Sequence, residues 1–139
     1  METSLTTHQL PIRIYYEDTD AGGIVYYANY MKYFERARTE WLRTLGISQS
    51  RLAQEQKQLF VVRQSEVHYL QPAQLDDLLT VETTLVELRG ASLTFSQQAV
   101  LDGTPMCSST TVVVCINSET MRPTKIHPTI RTILEKVRV

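Results

Sequence analysis

Apolar residues recur at helical spacing through one long stretch only, Tyr30, Tyr33, Phe34, Ala37, Trp41, Leu42 and Leu45, and Gly46 stands where such a helix would close. The chain beyond it mostly alternates with period two. A lone helix with a wide apolar stripe must lay it on a sheet, so this order of periodicities constrains the fold more than any other feature. Ile12, Ile14 and Tyr16 alternate with Arg13, Tyr15 and Glu17, which predicts a first strand broken by turn residues from Asp18 to Gly23. The polar segment Ser48 to Gln58 predicts a short second helix. Phe60 to Tyr69, Leu78 to Leu88, Ser92 to Leu101 and Met106 to Asn117 predict four strands. Turn signals at Gln71-Pro72, Arg89-Gly90 and Asp102-Gly103 join them into an expected antiparallel meander. His127 to Val137 predicts a terminal helix entered through Pro128. The expected class is α+β, a curved antiparallel sheet wrapped around one long central helix.

Val112 to Ile116 is apolar at every position, which predicts an interior strand covered on both faces. One helix covers only one face. The second cover is expected from another layer or from a second copy of the chain, as a homodimer or a dimer of dimers (a homotetramer). The 139 residues fit one domain spanning 1–139, with no internal repeat.

Fourteen Lys and Arg against fifteen Asp and Glu leave a net charge of -1, so no field draws the chain to a polyanion and nucleic acid is not an expected partner. The longest apolar run is far too short to cross a bilayer, and Met1 to Leu10 lacks the pattern of a leader, so a cytoplasmic protein without membrane insertion is expected. Cys107 and Cys115 fall in one predicted strand, ~26 Å apart at ~3.3 Å per residue, beyond the reach of a disulfide. His8, His68 and His127 are scattered, and neither His nor Cys shows metal-ligand spacing. No metal or other cofactor is expected. A Gly-x-Ser-x-Gly elbow and a phosphate loop are both missing from the sequence.

Chemistry concentrates between Tyr15 and Tyr30. Glu17, Asp18 and Asp20 crowd three carboxylates into four positions, which by itself reads as a solvated acidic turn. Asp20, however, is followed by Gly22-Gly23, which permit unusual backbone angles and close approach of a ligand, and then by the start of the long helix. Unpaired amides at a helix start can hold a developing negative charge. A carboxylate facing such amides across a cleft is the minimum apparatus for hydrolysing an activated acyl group. Asp76-Asp77 reads as a solvated turn, and Arg36, Arg38 and Arg43 read as an exposed helix face. Tyr26, Tyr27, Tyr30, Tyr33, Phe34 and Trp41 read mainly as helix core, those nearest Asp20 also lining an acyl pocket.

This segment closely resembles the hotdog-fold thioesterases of the 4-hydroxybenzoyl-CoA type, and within them the YbgC group of the Tol-Pal gene cluster. The resemblance rests on Arg13-Ile14, Thr19-Asp20 and Gly23-Ile24-Val25, on Tyr15 to Gly23, and on Glu35-Arg36-Ala37-Arg38-Thr39-Glu40. Phe60 to Arg63, Leu75-Asp76-Asp77, Arg89 to Leu93 and Val113-Val114-Cys115 extend it along nearly the whole chain. It implies a hotdog fold and an acyl-CoA thioesterase in which Asp20 is the catalytic carboxylate, as nucleophile or as general base. By the same resemblance the backbone amide of Tyr27 polarises the thioester carbonyl, Gly23, Val25 and Tyr30 belong to the substrate site, and Arg89 and Ser92 match positions that contact coenzyme A. Many YbgC members carry His where this chain has Tyr27, so a backbone role is implied there rather than a side-chain one. Two alternatives accompany the resemblance: a thioesterase or adaptor for substrates carried on acyl carrier protein, and a non-catalytic acyl-binding module of the Tol-Pal envelope system.

Overall fold

The computed structural model describes residues 6–139; residues 1–5, half of the stretch read for a leader, lie outside the described residues. In chain order the elements are β1 (His8–Arg13), a 3-10 turn (Tyr16–Asp18), α1 (Asn29–Thr44), α2 (Gln49–Gln56), β2 (Gln58–Tyr69), β3 (Leu78–Leu88), β4 (Ser92–Leu101), β5 (Thr104–Asn117) and α3 (Pro128–Val137).

The long helix forms where its spacing predicts. Tyr30, Tyr33, Phe34, Ala37, Trp41 and Leu42 are all buried along one stripe of α1. Its end is a Schellman motif: the Gly46 amide donates to Arg43 O at 3.0 Å and the Ile47 amide to Leu42 O at 2.9 Å. Gly46 adopts φ 85°, which a residue with a side chain would enter only under strain. The short α2 is capped by Ser48 Oγ, and α3 by His127 Nδ1, which accepts from the Thr129 amide.

The strands form one fully antiparallel sheet in the order β1-β3-β4-β5-β2. The meander is therefore correct for β3, β4 and β5 only. β2 crosses to the far edge and pairs with β5, because period-two patterning says which face a residue takes and nothing about which strand lies alongside. The first strand also differs: β1 ends at Arg13, Ile14 continues inward and is fully buried, and Tyr16 turns out to solvent at 83% exposure. The Asp18 carboxylate takes the Tyr15 amide at 2.8 Å and winds the chain out of the sheet there.

Two clusters fill the face beneath the helices. Tyr30, Tyr33 and Phe34 pack with Ile12, Ile14, Leu79, Val81 and Cys107 at one end of α1. At the other end Trp41 and Leu42 pack with Leu85, Leu93, Phe95, Val113 and Leu134. Ladder irregularities at Val62/Gln64, Leu85/Glu87 and Ala99/Val100 are bulges that add twist, which is how the sheet curls around α1. β5 is interior to the sheet, as expected; of the run Val112 to Ile116, Val113 to Ile116 are buried and Val112 is half-buried. The opposite sheet face carries Glu82, Thr84, Ser96 and Gln98, and the cluster that receives α1 and α3 lies on the other side. Both cysteines are buried and free.

Arg38 does not belong to an exposed basic face. Its guanidinium donates to Gln97 Oε1 at 3.0 Å, and buried Gln97 in turn donates to Phe34 O and Thr83 Oγ1, each at 2.9 Å. Burial pushes the Arg38 pKa down, opposed by Glu35. Arg36 is exposed, and exposed Arg43 pairs with Glu40 at 2.7 Å.

Candidate active site

Asp20 opens a tight turn whose backbone closes twice, Gly23 N to Asp20 O at 3.0 Å and Asp20 N to Ile24 O at 2.9 Å, with Thr19 bridging Val25 beyond it. Gly23 takes φ 80°, and a Cβ on Gly22 would come within 3.3 Å of Asp20 Oδ1. The glycines thus leave room for the carboxylate to fold over its own turn. Oδ1 accepts from the Gly22 amide at 2.9 Å and the Ile24 amide at 3.4 Å. Among the described residues no hydrogen bond reaches Oδ2, and the side chain is exposed. One oxygen is fixed by the backbone and the other is available to a reactant.

Four residues beyond the turn the chain enters α1. The Asn29, Tyr30 and Met31 amides donate back to Tyr26, Tyr27 and Ala28, so the helix effectively begins there, and among the described residues the amides of Tyr27 and Ala28 donate to nothing. These are the orphan donors of a helix start, where the backbone dipoles favour negative charge. Ala28 offers no side-chain cap to consume them.

Between this helix start and the end of β2 lies an open cleft of about 260 Å³. Ile24, Val25, Tyr27 and Tyr30 form one side; Tyr69, Leu70 and Pro72 form the other. Tyr69 sits edge-on to Tyr27 with ring centroids 5.9 Å apart and lies at the same distance from Tyr30. Tyr30 belongs to the helix core, as expected. Tyr26 and Tyr27 do not: they precede α1 and are exposed, Tyr27 at 60%. Burial pushes the Tyr30 phenol up to about 12, with Cys107 adding to the rise. Sequence reading missed Tyr69 and Leu70, because only the unforeseen placement of β2 beside β5 delivers them here.

Asp76-Asp77 forms the expected turn, and it abuts the site: Ile24 bridges Gln74, the Val25 amide donates to Ala73 O, and Asp77 Oδ2 accepts from the Gln74 amide at 2.8 Å. Arg89 and Ser92 lie elsewhere. The Asp20 loop borders the Leu78 end of β3 and Arg89 follows its Leu88 end, ~33 Å away at ~3.3 Å per residue along a straight strand. One chain does not bring these residues to Asp20. Arg89 pairs with Glu87 at 2.7 Å beside a second cleft of about 560 Å³ that includes Lys125, His127 and Arg131. No group of three or more His, Cys, Asp or Glu suited to a metal occurs among the described residues. No helix among them is long and apolar enough to cross a membrane.

The profile of the thioesterase-like superfamily matches residues 15–134. Acyl-CoA thioesterase YbgC of Haemophilus influenzae is 47% identical over 113 residues, 81% of this chain and 83% of that protein. Acyl-CoA thioester hydrolase YbgC of Escherichia coli O157:H7 is 45% identical over 119 residues, covering 85% and 88%. The crystal structure of a DHNA-CoA thioesterase from Staphylococcus aureus superimposes with a TM-score of 0.88 over 94% of this chain and 90% of that one; at 22% identity it supports the hotdog fold alone.

Proposed function

The chain belongs to the thioesterase-like superfamily, and we propose that it hydrolyses acyl-coenzyme A thioesters, with Asp20 as the catalytic carboxylate and the Tyr27 amide as the oxyanion donor. The observation that carries this reading is the split environment of Asp20: Oδ1 held by two turn amides, Oδ2 unengaged, and unspent helix-start amides a few residues on. Acting as a base, Oδ2 takes a proton from water as the water oxygen attacks the thioester carbon. Acting as a nucleophile, it attacks that carbon itself and water later opens the acyl-aspartyl anhydride. In both routes the carbonyl oxygen gains negative charge toward the Tyr27 amide, the C–S bond breaks, and the thiolate leaves to be protonated as free coenzyme A. Tyr30, Val25 and the Tyr69 side of the cleft receive the acyl group, and Gly23 lets it approach the backbone.

The active unit in this reading is an oligomer of a cytoplasmic, single-domain chain. The Asp20 carboxylate is exposed in one chain, and the cleft that begins at Ile24 carries the exposed rings of Tyr27 and Tyr69 in contact, with exposed Tyr26 against Tyr27 and exposed Leu70 beside them, apolar surface of the kind an interface covers. Cover from a second copy would exclude bulk water there, and would let one subunit's Arg89–Ser92 hairpin serve another's Asp20 loop with the coenzyme between them. Purified protein should turn over a panel of acyl-CoA esters, with the same acyl groups on acyl carrier protein poorer substrates, and turnover should vanish on dilution to monomers followed by sedimentation. Preference for the carrier would move the assignment to an acyl carrier protein thioesterase. Absence of turnover on both, with ligand bound, would favour an acyl-binding role in the Tol-Pal system.

A further inference from the structure

Asp18 stands two residues before Asp20, and Asn29 two residues after Tyr27, and their side chains meet: Asn29 Nδ2 donates to Asp18 Oδ1 at 2.9 Å across a half-buried bridge. The other Asp18 oxygen accepts from the Tyr15 amide at 2.8 Å, and the Asp18 carbonyl accepts from the Tyr26 amide at 2.9 Å. One residue thereby ties together the chain leaving β1, the strand-like arm returning from the Asp20 turn, and the first turn of α1. Asn29 spends its amide on this bridge while α1 starts without a side-chain cap, although Asn ordinarily favours the cap position itself. The buried Tyr33 hydroxyl lies beside both residues, at the core side of the bridge.

Asp20's own amide contacts all lie within its turn and fix its rotamer. They do not fix the distance from the turn to the helix start. The backbone bonds from Tyr26 to Asp18 and from Asp20 to Ile24 keep the loop closed, and the returning arm is held on its far side by Val25 N to Ala73 O and the Ile24–Gln74 bridge. The outgoing arm that carries Asp18 and Asp20 is joined to the first turn of α1 by the side-chain bridge to Asn29. We propose that Asp18 and Asn29 are positioning residues, whose carboxylate–amide bridge holds the Asp20 carboxylate at its working distance from the Tyr27 amide. This rests on the assignment of those two groups to the reaction.

The test is a swap cycle read by kcat, KM and amide exchange. Asn29→Asp sets carboxylate against carboxylate and removes the donor; kcat should fall about thirtyfold, with KM within about threefold and the fold retained. Asp18→Asn should cost less than about fivefold, because its carbonyl still accepts from Tyr15 while the Asn29 amide turns over to offer its oxygen. The double variant Asp18→Asn/Asn29→Asp rebuilds an amide–carboxylate bridge in the reverse direction and should recover kcat to within about fivefold of the parent, a strong departure from additivity. Asn29→Ala, which adds no charge, guards against misfolding of Asn29→Asp and should lose about tenfold in kcat without rescue by Asp18→Asn. Hydrogen exchange of the Tyr26 amide by NMR, which needs no substrate, should quicken in Asn29→Asp and Asn29→Ala and slow again in the double swap. A double variant as slow as Asn29→Asp with equally rapid Tyr26 exchange would overturn the positioning role. If Asp20→Asn kept full turnover while the exchange pattern held, the pairing would stand and the catalytic assignment alone would fall.

Discussion

The two ends of α1 are built on different rules. Around Trp41 the side chains are apolar and closed to water: Trp41, Leu85, Leu93, Phe95 and Leu134 are all 1% exposed or less, and Trp41 meets Phe95 edge-on with centroids 5.9 Å apart. Around Tyr30 the packing is equally dense below, yet the Tyr30 and Tyr33 hydroxyls are buried without partners, and rings and amides stand unused at the surface. A buried unpaired hydroxyl costs about 1–3 kcal/mol. One end of the helix therefore supplies stability, and the other gives some of it up to hold groups in readiness.

The largest effect that would break this comparison is on chemistry. Asp20→Asn should lower kcat on the order of a thousandfold, ~4 kcal/mol of transition-state stabilisation, and leave the melting temperature nearly unchanged, because its amide can still accept from Gly22 and Ile24. A loss of melting temperature on the same scale would mean that the turn is structural. Conversely, Trp41→Ala should remove about 3–5 kcal/mol of stability in denaturant titration, while the folded fraction keeps kcat within about twofold. A proportionate fall in the kcat of the folded fraction would show that the two ends are coupled.

Alkaline pH offers a sharper separation. Burial holds the Cys107 thiol up to about 12 and the Tyr30 phenol up to about 12, both at the loop end, while at the packed end Cys115 is held up to about 11. In the unfolded chain thiols ionise near 8.5 and phenols near 10, so above ~pH 8.5 the unfolded state binds fewer protons than the folded one. Stability should be full below that pH and decline as pH rises toward the folded values. Melting curves at pH 8 and 10.5 should show that Cys107→Ala with Tyr30→Phe flattens the decline more than Cys115→Ala does; the opposite ranking would place the alkaline weakness at the wrong end. The smallest effect is at Tyr27, whose ring is exposed and whose amide does the work in the proposed reaction. Tyr27→Phe should cost less than about threefold in kcat, whereas a hundredfold loss would make the phenol a hydrogen-bond donor to the oxyanion.

Legibility in the sequence tracks the range of each interaction. α1, its Gly46 stop and the Asp102-Gly103 hairpin are local decisions, and they stand where spacing and turn chemistry put them, Asp102 and Gly103 both with positive φ. The proximity of Asp20 to a helix start is legible for the same reason, since only a few residues separate them. Strand order is not, so β2 is misplaced by its pattern and Tyr69 is missed with it. Asp18 reads only as part of a crowded acidic turn, because a carboxylate that binds an amide eleven positions later looks no different in sequence from one facing water. Arg38 misleads likewise: its partner Gln97 lies on a strand across the core.

The sheet's bulges carry a last consequence, for which changes in chain length the fold can absorb. In β2 the inward positions run Gln58, Phe60, Val62 before the bulge and Ser65, Val67, Tyr69 after it, with Arg63 as the residue left over; in β3 they run Leu79, Val81, Thr83, Leu85 and then Leu88, with Val86 left over. Deleting one residue from a regular strand turns every later side chain to the wrong face. Deleting Arg63 or Val86 would instead restore plain alternation and keep each neighbour on its own side, at the expense of local curl. Single-residue gaps among natural variants of this chain should accordingly collect at those two strand positions, in sheets that close less tightly on their helix.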